Sequence, residues 1–138
     1  MQGNLRSLIF WEVIAEPIGN IEKYRFSKVS LDSLKLAAQI VTSIHPNLRE
    51  FDSSKFKEGI DGDFYCTIRD GEQVYIFQYS YPIYPSEDDT VAEIALTSAA
   101  KYGEDLNFAG DINFIKKMKY RKLFAKYFIT EVKKRLKR

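Results

Sequence analysis

The sequence predicts an α+β domain in which an antiparallel sheet of two hairpins, about four strands, carries three helices, the last long and basic. Three observations predict it. Extended segments come in pairs around residues with strong turn chemistry, and three further segments carry helical spacing or capping signals. The composition, 138 residues of which 45% are hydrophobic and 29% charged, is that of one globular domain. The whole of residues 1–138 is therefore read as one unit, with residues 111–138 forming a basic helix packed on it or extending from it.

Residues 7–16 read as a strand, because Ile9, Trp11, Val13 and Ala15 alternate with Glu12 and Glu16. Pro17-Ile18-Gly19-Asn20 is turn chemistry, and residues 22–29 resume an extended pattern with Tyr24 and Phe26 on one side, which predicts an N-terminal hairpin. Ser30 is the expected N-cap of a helix over residues 31–44, whose Leu34, Leu36, Ala37, Ala38, Ile40, Val41 and Ile44 make a wide apolar surface expected to be largely buried. His45-Pro46-Asn47 ends it, since the residue before proline avoids helical geometry. Residues 48–59 alternate only weakly and read as a loop with a possible strand.

The second hairpin is plainer. Phe64-Tyr65-Cys66-Thr67-Ile68 and Val74-Tyr75-Ile76-Phe77-Gln78-Tyr79 are rich in β-branched and aromatic types, and Asp70-Gly71-Glu72 between them supports a tight bend. Pro82 and Pro85 stop the second strand. Ser86 followed by Glu87, Asp88 and Asp89 predicts a helix start, running through Val91, Ile94, Ala95, Ala99 and Tyr102 to Gly103. After Gly110, residues 112–136 contain neither proline nor glycine and form the longest helical candidate, with a break expected near Met118.

Net charge is only +2, but its distribution is uneven. Residues 111–138 hold eleven Lys/Arg against Asp111 and Glu131, a net of +9, while residues 1–110 hold ten bases and seventeen acids, a net of −7. Such asymmetry points the basic part toward a polyanion, an acidic partner or the protein's own acidic body. At about 100° per residue, Phe114, Met118, Ala125, Phe128, Ile129, Val132 and Leu136 are expected to face the core. Lys116, Tyr120, Leu123, Tyr127 and Lys134 then project outward, flanked by Lys119, Lys122, Lys126, Lys133 and Lys137. Ammonium groups displace counterions from phosphates and rings stack on bases, so Lys116, Lys119, Lys126 and Lys134 are the candidate nucleic-acid contacts, with Tyr120 and Tyr127 as stacking groups.

Chemistry is less visible. The lone His45 excludes a histidine-based metal cluster and reads as a helix-end residue, and Cys66 reads as a packed thiol. Asp61, Asp63, Asp70 and Glu72 could hold a divalent ion for phosphodiester cleavage, but Asp-Gly pairs are what tight turns look like. No phosphate loop is present, and no cofactor is expected. The expectation is a non-enzymatic binding module for nucleic acid or another polyanion. The alternatives are a protein-interaction or regulatory module using exposed aromatics, including a homodimer, and a metal-dependent nuclease. One cysteine and no recognisable signal peptide suggest a cytoplasmic setting, and a membrane is the least favoured partner.

Overall fold

A computed structural model of the chain describes residues 20–50, 63–82 and 91–137. They form an α+β fold: strand β1 (Glu22–Ser27), helix α1 (Leu31–Ile44), strands β2 (Leu48–Glu50), β3 (Asp63–Asp70), β4 (Gln73–Ser80), β5 (Val91–Lys101) and β6 (Asn107–Phe108), then α2 (Phe114–Phe124) and α3 (Thr130–Leu136). A π-helical turn at Ala125–Ile129 joins α2 to α3 as one rod. The sheet runs β1-β5-β4-β3-β2 with antiparallel neighbours, and β6 pairs with β5 beyond the end of β1.

The hairpin of β3 and β4 forms where the sequence places it, pairing Asp70 with Gln73 across a two-residue loop. Gly71 takes φ 65°, a conformation that costs a residue without Cβ little. Helix α1 also starts as expected, the Ser30 hydroxyl accepting the Ser33 N–H at 3.2 Å. It is only partly buried, however. Leu34, Ala37, Ala38 and Val41 enter the core, whereas Leu36 and Ile44 are exposed, because the sheet and the C-terminal rod together cover only one side of the helix. The weak alternation after residue 47 yields β2, three residues long; the rest of that segment, the strand expected over residues 7–16 and the N-cap expected at Ser86 lie outside the described residues.

The expected helix through Val91 and Tyr102 is instead β5, the longest strand among the described residues, paired with β4 on one side and with β1 and β6 on the other. The apolar residues fit either periodicity, because a strand buried on both faces loses its polar alternation. Ala92, Ile94, Leu96 and Ala99 join the main core, while Ala95, Ser98 and Ala100 are buried outside it. Gln78 pairs with Ser98 but Tyr79 with Leu96, so Thr97 is an extra residue at a bulge, its hydroxyl donating to the Gln78 carbonyl at 3.1 Å. Pairing with two strands overrides the local helix preference of alanine and glutamate.

The main core lies between one sheet face and the helices, and it is aromatic. Tyr24 on β1 and Tyr75, Phe77 and Tyr79 on β4 meet Tyr120, Phe124 and Phe128 on the C-terminal rod. Ring centroids are 5.4 Å apart for Phe77 and Phe124 and 4.9 Å for Phe124 and Phe128, within the range for favourable tilted pairs.

Candidate nucleic-acid interface

The C-terminal rod begins at Ile112, which is buried, and Asn113, whose side chain accepts the Lys116 N–H at 2.9 Å. Its first turn holds Lys116 and no acid, although the positive end of a helix dipole favours acids there. The backbone stays right-handed through the π-helical turn, with Ala125 at φ −64°, ψ −46° and Thr130 at φ −58°, ψ −43°. The Thr130 N–H reaches the Ala125 carbonyl, and the Thr130 hydroxyl donates to the same oxygen at 2.8 Å. The break expected near Met118 is thus displaced to residues 125–129, and it is a widened turn, not an interruption.

That turn corrects the expected faces. A π-helical turn holds about one more residue than an α-helical turn, so side chains before it are rotated by roughly 100° relative to a continuous α-helix. After the turn the expected stripe holds: Phe128, Ile129 and Val132 are buried and Leu136 packs against the core. Before the turn it does not. Phe114 is 69% exposed and Met118 38%, whereas Tyr120 and Leu123, expected outside, are 5% and 7% exposed. Tyr120 and Phe124, which step by four residues to the expected core residue Phe128, are the inner positions that sequence reasoning missed, and that spacing was the available signal.

Tyr120 packs edge-on against Tyr75 and Phe77 at 6.3 and 6.1 Å, and burial raises its phenol pKa. Its ring is occupied within the protein and is not presented to a base. Tyr127 is half-buried, and its hydroxyl donates to Asp70 Oδ1 at 2.7 Å, tying the rod to the end of β3. This bond raises the Tyr127 pKa, because ionisation would remove the shared proton and set two anions side by side.

The lysines lie where their chemistry requires. Lys116, Lys119, Lys122, Lys126, Lys133 and Lys137 are exposed, and none is ion-paired with a carboxylate among the described residues. Lys119 sits 5.0 Å from the Tyr75 ring centre, and a hydrogen bond to the Tyr75 phenol raises its pKa, so it remains an ammonium. Lys126 lies 5.0 Å from the ring of Tyr127. Lys134 is exposed but 3.6 Å from Glu131, whose other oxygen is 3.3 Å from His45 Nε2. Arg121 is paired with Glu22 at 3.7 Å. The free cations therefore extend along both halves of the rod, over about 30 Å from Lys116 to Lys137.

The other candidates have local roles. His45 is the C-cap of α1, and its Nδ1 accepts the Asn47 N–H at 3.1 Å, leaving Nε2 as the donor to Glu131. Cys66 is fully buried in β3, and burial pushes its thiol pKa up, away from nucleophilic thiolate. Asp70 accepts from Tyr127, Asp63 begins β3, and Asp61 lies outside the described residues. No three His, Cys, Asp or Glu side chains among the described residues group to hold a metal ion. No protein-family description matches the chain, and no curated protein is recognisably similar to it.

Proposed function

We propose that the chain is a non-enzymatic binding module whose C-terminal rod holds nucleic acid by its phosphate backbone. The observation that carries this reading is the run of exposed ammonium groups without carboxylate partners among the described residues, Lys116, Lys119, Lys122, Lys126, Lys133 and Lys137. Lys134 contributes less, because Glu131 already partners it. With Tyr120 packed in the core, the contact is electrostatic and not a stacking platform. Phosphate contacts fix position without reading bases, so the binding has little sequence preference.

The test is fluorescence anisotropy of a labelled duplex oligonucleotide at several salt concentrations. Affinity falls steeply with salt, and changing Lys116, Lys119, Lys126 and Lys134 together to glutamine reduces the slope of log affinity against log salt by about 3 to 4. Tyr120→Phe, which keeps the packed ring, leaves affinity unchanged. An affinity indifferent to salt, or untouched by the four substitutions, would overturn the reading.

A further inference from the structure

The nucleic-acid reading leaves one feature of the rod unused. Phe114, Ile115 and Met118 are 69%, 78% and 38% exposed, and their spacing places them together on the outer side of α2. Large apolar side chains are seldom gathered on a solvent-facing helix turn without a partner. Lys116, Lys117, Lys119 and Lys122 surround them, against Asp111 one turn earlier. Arg121, on the same flank, is neutralised by Glu22.

We propose that this cationic, apolar-tipped end of the rod inserts shallowly into an anionic lipid surface. Ile115 and Met118 gain nothing from phosphates or from ring stacking, but they do gain from the acyl boundary of a bilayer, while flanking lysines meet anionic headgroups. The patch is the convex outer side of a helix, suited to a deformable surface. A second copy docked patch to patch would bring two sets of four lysines together, so the charge argues against self-association through it. The contact is peripheral: no described helix is long and apolar enough to cross a membrane. The sequence favours a membrane least among the partners and assigns Phe114 and Met118 to the core, whereas both are exposed on the half of the rod before the π-helical turn.

The proposal shares Lys116, Lys119 and Lys122 with the nucleic-acid reading but rests on the apolar tip, and it is tested separately. The full chain is co-sedimented with phosphatidylcholine vesicles, with and without phosphatidylglycerol, beside its Ile115→Gln/Met118→Gln variant, whose exposed positions accept a good helix former. Binding is expected only with phosphatidylglycerol present, with a loss of at least about tenfold in the variant. Duplex DNA affinity and far-ultraviolet circular dichroism are expected to be the same for both proteins. Absent binding to the anionic vesicles, equal binding to both vesicle types, or equal binding by the variant would overturn the proposal. A dimer in light scattering that the two substitutions dissociate would overturn it as well, assigning the patch to a second copy.

Discussion

The two halves of the C-terminal rod share an inner surface and differ on the outer one. Inward, Tyr120, Leu123 and Phe124 before the π-helical turn and Phe128, Ile129 and Val132 after it join the same core cluster. Outward, the first half shows Phe114, Ile115 and Met118 among lysines, and the second shows Lys126, Lys133 and Lys137. An uninterrupted α-helix would keep Tyr120, Phe124 and Phe128 in one row but would carry Val132 to the side opposite Leu123. The extra residue of the π-helical turn reconciles them, and the apolar outer patch is a consequence of that rotation.

Truncating one phenylalanine from each surface exposes the contrast most strongly. Phe124 is fully buried against Phe77, Tyr79 and Phe128, so Phe124→Ala costs about 3–5 kcal/mol in chemical denaturation. Phe114→Ala stays within about 0.5 kcal/mol, as an exposed substitution should. Equal effects at the two positions would remove the distinction between the surfaces.

Alkaline titration addresses the inner surface as a whole. Burial raises the phenol pKa values of Tyr24, Tyr79 and Tyr81 above the ordinary 10.0. The unfolded chain ionises these phenols near their ordinary value while the fold resists, so their contribution is complete below pH 10.0 and declines as the pH rises through the folded values. Denaturant midpoints are expected to be flat through the neutral range and to fall above that pH, less so in Tyr24→Phe. A midpoint that rises there would contradict the packing.

Smaller effects locate the ends of the rod. Asn113→Ala removes the N-cap of the apolar half and costs about 1 kcal/mol, measurable as a shifted thermal midpoint. Tyr127→Phe removes the bond to Asp70, and because the site is half-exposed, about 1 kcal/mol is lost. If neither changes stability, the rod is held by its aromatic row alone.

Much of this fold can be read in the sequence because its local signals agree with its tertiary contacts. Asp70-Gly71 marks the hairpin, and Ser30 and Pro46 bracket α1. β5 was obscured because burial on both faces removes alternation and the extra Thr97 shifts what remains. The candidate site divides similarly. Lysines were placed correctly outside, since a charged amine is rarely buried without a partner. Tyrosine has no such rule, so assigning Tyr120 to a face required the helical phase, which the π-helical turn changes without any glycine or proline to announce it.

The change of phase at residues 125–129 is tested most directly by thiol labelling. In a Cys66→Ala background, Ile115→Cys and Leu123→Cys are compared for reaction with a maleimide under native conditions. Labelling of Ile115→Cys at the rate of a free thiol, with Leu123→Cys protected until denaturant is added, is the expected result. Rapid labelling of Leu123→Cys in a folded protein, with protection of Ile115→Cys, would contradict the account.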